Sequence, residues 1–499
     1  MSGDRPVRQK VRFVLNGERV ELARVDPNQT LLRYLREVQA LTGTKEGCAE
    51  GDCGACTIIV ADTDGFSGRL RARAVNACIA LLPTLDGKEI VTVEGLSGDT
   101  LHPVQRAMVD WHGSQCGFCT PGFVMSLFAL YKNNASPSRQ DIDDALAGNL
   151  CRCTGYQPIV KAAQSMYDGK VTCDDWRVAV AGSAPGNDEA ARIATLQSLA
   201  SDESLEIECN GRWFHAPRSL DELADLLGRY PDATLLAGGT DVGLWITKDL
   251  RQFDRIIYTG GVRELLTVSD TEAFIDIGAG VTLTDAMDTI VASYPALEEL
   301  FLRFASPPIR NAGTLGGNIA NGSPIGDAMP ALMALDTELL LRQGSNHRTV
   351  ALDDFYLGYR QTALGDGEFV ERIRIPHARE GEQVASYKVA KRFDQDISAV
   401  CGAFRIRLAD GMVDDIRIAY GGMAAVPRRA THTEAALIRQ PWQSAALGTA
   451  FTGFDEDFEP ISDMRASAAY RREVGRNLLR RFLLETTGEQ STTVYRYER

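Results

Sequence analysis

Glu46-Gly-Cys-Ala-Glu-Gly-Asp-Cys-Gly-Ala-Cys56 sets three cysteines at C-x4-C-x2-C spacing, and Cys78 follows beyond the apolar run Thr57-Ile-Ile-Val60. Four thiolates in that pattern are the ligand set of a plant-type [2Fe–2S] cluster. Gly47, Gly51 and Gly54 punctuate the loop. They allow the positive φ angles and close backbone approach by which N–H groups reach the cluster sulfurs and offset its negative charge. Four thiolates also suit structural zinc, but zinc sites usually arise from two C-x2-C knuckles, which this spacing is not. Around the loop the sequence reads as a small β-grasp ferredoxin ending near Gly95. Val11-Arg-Phe-Val-Leu15 and Arg19-Val-Glu-Leu22 flank the turn dipeptide Asn16-Gly17, Thr30 is placed to cap a helix over 31–38, and Thr57–Val60 reads as a strand.

Working outward, a second quartet appears at Cys116, Cys119, Cys151 and Cys153, so eight of the eleven cysteines fall into two ligand-like sets before residue 154. The pattern between 101 and 167 is helical, with expected helices at 101–112, 121–132, 138–147 and 157–167. Cys119-Thr-Pro121 places a thiolate at a helix N-terminus, where the helix dipole favours the anionic form. Gly148-Asn149 reads as a helix stop just ahead of Cys151-Arg-Cys153. His112 lies near Cys116 but reads as a packed or surface residue, and Cys173, Cys209 and Cys401 stand alone.

Residues 168–204 show no sustained periodicity and read as a linker. After 205 the pattern shifts to βαβ-like alternation with Gly-rich turns, and a helix is expected over 463–486. Two Gly-rich stretches could hold a phosphate-bearing cofactor: Leu235-Leu-Ala-Gly-Gly-Thr-Asp-Val242, and Asn311 to Asp327. Gly278-Ala-Gly280 is no dinucleotide fingerprint, because Leu283 stands where the third glycine belongs. Iron–sulfur sites pass single electrons, whereas a nicotinamide accepts a hydride. A flavin bridges the two, so FAD held without a Rossmann motif is the expected neighbour.

At 499 residues, with 44% apolar and 24% charged content, the chain has the composition of a multidomain globular protein. A net charge of −14 argues against nucleic acid as a partner. No apolar run approaches the roughly 20 residues that span a bilayer, so no membrane is expected. The N-terminus lacks the apolar core of a signal peptide, and a cytosolic location is expected. There, grouped cysteines bind metal more often than they form disulfides.

The segments Gln115-Cys-Gly-Phe-Cys-Thr-Pro-Gly-Phe-Val-Met-Ser126 and Gly148-Asn-Leu-Cys-Arg-Cys-Thr-Gly-Tyr-Gln-Pro158 resemble the second-cluster signature of the xanthine dehydrogenase and molybdenum hydroxylase family. Glu46 to Cys56 resembles that family's plant-type cluster loop. The resemblance extends over essentially the whole chain. It implies an α+β multidomain fold: a β-grasp [2Fe–2S] domain over 1–96, a helical-bundle [2Fe–2S] domain over 97–167, the linker 168–204, a vanillyl-alcohol-oxidase-type FAD domain over 205–382, and an α+β C-terminal flavoprotein subdomain over 383–499 that Tyr420-Gly-Gly-Met423 fits.

The resemblance also implies metal ligands Cys48, Cys53, Cys56 and Cys78 for one cluster, and Cys116, Cys119, Cys151 and Cys153 for the other. FAD contacts fall at Leu235, Leu236, Ala237, Gly238, Gly239, Thr240, Asp241 and Val242, and at Phe304, Thr314, Leu315, Gly316, Gly317, Asn318 and Asp327. The expected role is that of an electron-transfer subunit of xanthine dehydrogenase. A molybdenum cofactor on a separate large subunit would oxidise hypoxanthine or xanthine, with NAD as final acceptor and an (αβ)2 assembly. A related aldehyde or N-heterocycle hydroxylase is the alternative. On that reading no catalytic acid, base or nucleophile is needed on this chain.

Overall fold

The computed structural model describes residues 7–63, 68–96, 98, 100–168 and 174–488. They form two compact units. The first comprises the described residues within Met1–Leu223, Asp232–Arg263 and Ser306–Gly313, and the second those within Ala224–Pro231, Glu264–Ala305 and Thr314–Arg499. Cys173 lies outside the described residues.

The first unit opens with the expected β-grasp. Its sheet runs in the order Glu18–Leu22, Val11–Leu15, Glu89–Val91, Thr57–Thr63, Leu70–Asn76. Val11 pairs with Leu22 and Leu15 with Glu18, across a turn in which Asn16 (φ 52°) and Gly17 (φ 92°) both take positive φ. A two-residue turn of that hand matches the natural twist of the hairpin. The helix expected over 31–38 is one α turn, Leu31–Arg33, capped by the Thr30 hydroxyl, that widens into a π-helical turn at Tyr34–Val38. It buries Leu31, Leu32 and Leu35 against Phe13 and Ile58.

Four helices follow at Pro103–Asp110, Thr120–Asn133, Arg139–Leu146 and Gln157–Ser165, each within a few residues of its expected bounds. Phe123, Met125, Leu127, Phe128 and Tyr131 of the second are buried, and Val104, Ile142 and Ile159 bring the other three helices into the same core. The stretch read as a linker is corrected in part. It contains the helix Asn187–Leu199, which buries Leu196 and Leu199 beside Val14. Its apolar positions are too sparse to show as periodicity. Long-range ion pairs fix it instead, from Arg69 to Glu189 at 2.7 Å and from Arg192 to buried Glu89.

The chain then builds a second sheet in the order Val7–Arg8, Ser204–Cys209, Arg212–Ala216, Arg255–Tyr258, Thr234–Leu236. The Val7–Arg8 strand joins it in parallel with Ser204 and Leu205. Arg255–Tyr258 is parallel to both its neighbours.

In the second unit the βαβ expectation fails. Its five-stranded sheet, Val268–Asp270, Phe274–Gly278, Phe369–Pro376, Glu338–Gln343, Asn346–Ala351, is antiparallel throughout. Phe369–Pro376 arrives from almost a hundred residues beyond Phe274–Gly278 to pair with it, a non-local pairing that local patterning does not encode. Glu382–Val389, Val400–Ala409, Met412–Gly421 and Arg428–Arg429 form a further antiparallel sheet. The closing helix begins at Ala468, where the Ser467 hydroxyl accepts from the Tyr470 amide, and runs to Thr486, with Phe482 stacked on Phe404 at 5.1 Å.

Candidate iron–sulfur and flavin sites

The eight cysteines gather in the first unit as two sets, and within each set the thiols associate in twos. Cys48 hydrogen-bonds to Cys53, and Cys56 to Cys78. In the second set Cys116 meets Cys153, and Cys119 meets Cys151. All ten described cysteines are free thiols. Two sulfur pairs are what two bridged irons require, whereas a single zinc needs four sulfurs converging on one point. The pairing is compatible with a binuclear cluster.

Local backbone explains how the first loop presents its sulfurs. Gly51 (φ 85°) and Gly54 (φ 68°) turn the chain so that amides face inward. The Cys53 and Glu50 amides donate to Cys48 Sγ at 3.3 and 3.5 Å, and the Cys48 amide donates to Cys53 Sγ at 3.3 Å. Buried Asn76 directs its side-chain amide toward Cys56 Sγ at 3.8 Å. A Cβ on Gly47 would lie 2.8 Å from Cys53 Sγ, so this position leaves room only for hydrogen.

Each pair splits its acidities, as two sulfurs sharing one proton must. The hydrogen bond from Cys53 draws Cys48 down to about 5 against the opposing effect of burial, and Cys53 moves up. The Cys78 contact lowers Cys56, while the same contact and burial raise Cys78. In the second set burial pushes Cys119 up to about 12. Cys151 is lowered although burial opposes it, because the Thr154 hydroxyl and amide stabilise its thiolate. Cys119 occupies the N-cap position of the helix Thr120–Asn133, as the Pro121 spacing anticipates, but its side chain makes no capping hydrogen bond, and burial outweighs the helix dipole expected to favour its thiolate. Cys116 and Cys153 are exposed, and so is His112.

The two cysteine loops touch directly. The Leu150 amide donates to the Cys53 carbonyl at 3.0 Å, and Asn149 Nδ2 donates to the Gly54 carbonyl at 3.2 Å. A Cβ on Gly122 would sit 2.0 Å from that same Gly54 oxygen.

On its other side the first set meets the glycine stretch 235–242. Leu235 and buried Leu236 end the strand Thr234–Leu236, Ala237 and Gly238 follow, and Gly239 takes φ 77°. Thr240 and Asp241 lead into the helix Val242–Thr247. Gly238 packs so closely that a Cβ would lie 2.1 Å from the Ala312 carbonyl, and one on Gly243 would lie 2.6 Å from the carbonyl of Ile79, the residue after Cys78. The Thr247 hydroxyl donates to the Ala49 carbonyl at 2.7 Å, and Lys248 reaches the Cys48 carbonyl. None of Asn76, Gly122, Asn149, Thr247 or Lys248 was marked by spacing. Only the placing of Asn149 between Gly148 and the C-x-C pair hinted at a role.

The remaining candidate flavin contacts belong to the second unit. The Thr314 hydroxyl accepts from the Gly317 amide at 3.0 Å and caps the helix Leu315–Asn321. Gly316 lies flat on Ala279, where a Cβ would come within 2.4 Å. The rejected Gly278-Ala-Gly280 stretch is thus the seat of this segment. Asn318 Oδ1 is buried without a hydrogen-bond partner. A buried orphan acceptor is costly unless something donates to it, so this segment fits a cofactor rich in hydrogen-bonding groups. Phe304 lies just after the helix Glu298–Leu302. Asp327 is buried, with its carboxylate engaged by Lys388 Nζ at 2.5 Å and by the Ser398 hydroxyl at 2.5 Å.

Comparison with known proteins gives this geometry its relatives. Residues 13–82 match a 2Fe-2S iron-sulfur cluster binding domain and 92–164 a [2Fe-2S] binding domain. Residues 206–378 match the FAD binding domain in molybdopterin dehydrogenase, and 385–486 the CO dehydrogenase flavoprotein C-terminal domain. Xanthine dehydrogenase of Emericella nidulans is 34% identical over 95% of this chain and 38% of its own length. Xanthine dehydrogenase/oxidase of Gallus gallus is 34% identical over 87% of this chain and 37% of its own. The chain therefore spans well under half the length of these relatives. Among solved structures, a carbon monoxide dehydrogenase chain from Hydrogenophaga pseudoflava aligns at 31% identity and TM-score 0.51, over 54% of this chain and 94% of that one. A quinoline 2-oxidoreductase chain from Pseudomonas putida 86 aligns at 25% identity and TM-score 0.51, over 55% of this chain and 96% of that one. The chain belongs to the molybdenum hydroxylase family and carries its two [2Fe–2S] domains, its FAD-binding domain and its C-terminal flavoprotein domain.

Proposed function

We propose that this chain is the electron-transfer part of a xanthine dehydrogenase. It would carry electrons from a molybdenum cofactor on a partner, by way of Cys116/Cys119/Cys151/Cys153 and then Cys48/Cys53/Cys56/Cys78, to FAD and on to NAD. The observation that supports this order is the unbroken packing of the first unit. The second cysteine set abuts the first through Leu150 and Cys53, and the first abuts the glycine stretch through Ile79 and Gly243. When bound, the two clusters would supply single-electron carriage and FAD the exchange between one- and two-electron steps.

The chain's own residues hold these sites close and in sequence. The Cys48, Glu50 and Cys53 amides and Asn76 direct N–H groups at sulfur, and such contacts set a cluster's potential. Thr247 and Lys248 fasten the helix after the glycine stretch to the Cys48 loop. A partner is supported by the surface around Cys116 and Cys153. Both thiols are exposed there, and so are Val109, Trp111, Phe118, Leu150 and Tyr156. Exposed apolar side chains concentrated in one region of a chain favour an association surface there.

The decisive experiment is Cys119→Ser in the assembled enzyme. Xanthine-to-NAD turnover should be lost while NADH-to-dye activity at the flavin persists. Equal loss of both would overturn the assigned order. The likeness to quinoline 2-oxidoreductase favours a second reading, in which the same route serves an N-heterocycle or aldehyde hydroxylase. Turnover of the co-purified enzyme on xanthine, quinoline and aldehydes separates the two.

A further inference from the structure

Asn149 is nine-tenths or more buried, and its side chain joins three segments of the first unit. Its Oδ1 accepts from buried Ser126 Oγ at 2.6 Å, on the helix that follows Cys119. Its Nδ2 donates to the carbonyl of Gly54, between Cys53 and Cys56. The next residue, Leu150, donates its amide to the Cys53 carbonyl and precedes Cys151. Gly54 cannot move away from this arrangement cheaply. A Cβ there would fall 2.2 Å from the Gly148 carbonyl, and Gly122 presses on the Gly54 oxygen from the helix side. The backbones that carry the two thiol sets are therefore pinned to one another. Loss of order at Cys151–Cys153 would free Asn149 and Leu150 and, with them, one side of the contacts that hold the Cys53–Gly54 segment.

We infer that Asn149 is a latch between the two iron–sulfur sites, so that filling either set of cysteines strengthens cluster retention at the other. The inference rests on the cluster reading given above. Because the coupling is a difference in binding free energy, it must act equally in both directions.

The test uses the full chain with its partner, equilibrated across a series of chelator concentrations, each site being read by the EPR signal of its reduced cluster. Cys151→Ala, which empties the second site, should lower the chelator midpoint for the first-site signal about fivefold or more, within the ordinary range of coupling between sites. Cys53→Ala should lower the second-site midpoint by the same factor. In an Asn149→Ala background the added effect of Cys151→Ala should shrink, because the side-chain part of the link is cut while the Leu150 amide still holds the Cys53 carbonyl. Should Asn149→Ala fail to fold, Ser126→Ala withdraws the hydroxyl that holds the Asn149 side chain from the helix side and should likewise weaken the coupling. A first-site midpoint unmoved by Cys151→Ala, or shifted equally with and without Asn149, overturns the latch while leaving both sites standing. Absence of iron from the wild-type chain overturns the cluster reading and the latch together.

Discussion

At the scale of single residues, His102 shows how burial and a cap select one protonation state. Its Nδ1 accepts from the Val104 amide at 3.2 Å, and its Nε2 lies 2.9 Å from the Arg177 carbonyl. Only the neutral ring with its proton on Nε2 satisfies both. Burial, the largest influence, pulls its pKa down to about 4. The unfolded chain titrates near 6.5, so the neutral ring's contribution is complete above that pH. It is lost as pH falls from about 6.5 toward 4, and amounts to about 3 kcal/mol in all. Denaturant midpoints measured across that interval should fall with pH in the wild type. His102→Asn, which can cap a helix without titrating, should flatten that part of the profile. A second residue-scale case is Asp327, which faces Lys388 with both side chains almost wholly buried. Asp327→Ala leaves a buried ammonium uncompensated and should cost about 3–5 kcal/mol. Urea unfolding of the flavin-free protein measures that loss apart from any effect on cofactor binding.

Among elements, the helix Asn187–Leu199 carries a burden that its composition hides. Arg192 reaches Glu89, whose carboxylate is buried in the β-grasp sheet, and its guanidinium also lies 5.5 Å from the Trp176 ring. Burial raises the Glu89 pKa against the opposing charge of Arg192. Arg192→Met should therefore destabilise the first unit by about 3–5 kcal/mol, because it strands a buried carboxylate. The double variant Arg192→Met with Glu89→Met should recover most of the loss, and a thermal melt of the three proteins checks this. The glycines of the cysteine loops act at the same scale. Gly54 is required both for its positive φ and for the close approach of Gly148, so its identity follows from tertiary contact as much as from the turn.

For the whole molecule, all eight candidate ligands lie in one compact unit and none in the other. A site that exists only in the folded chain returns its binding energy as stability to the segments that build it. Hydrogen exchange before and after removal of iron should then show lost protection within 44–57 and 114–157, with the sheet strands Val400–Ala409 and Met412–Gly421 unchanged. Uniform loss across both units would mean that metal supports the chain globally rather than through its loops.

The sequence by itself determined the two candidate cysteine sets, the hairpin turn at Asn16-Gly17 and the four helices that bear the second cysteine set. Each of these depends on residues near one another in the chain: ligand spacing, positive φ, caps and a 3.6-residue period. Family resemblance carried the flavin segments, since glycine-rich stretches alone are mostly turns. Only the tertiary structure decided that Val7–Arg8 pairs with Ser204 and Leu205, that a sparse helix at Asn187–Leu199 folds back onto Glu89, and that the second unit's sheet is antiparallel. The packing roles of Asn149, Gly122 and Gly243 were not legible in the sequence for the same reason. Their roles arise from contacts between segments far apart along the chain, and local patterning carries no signal of such closeness.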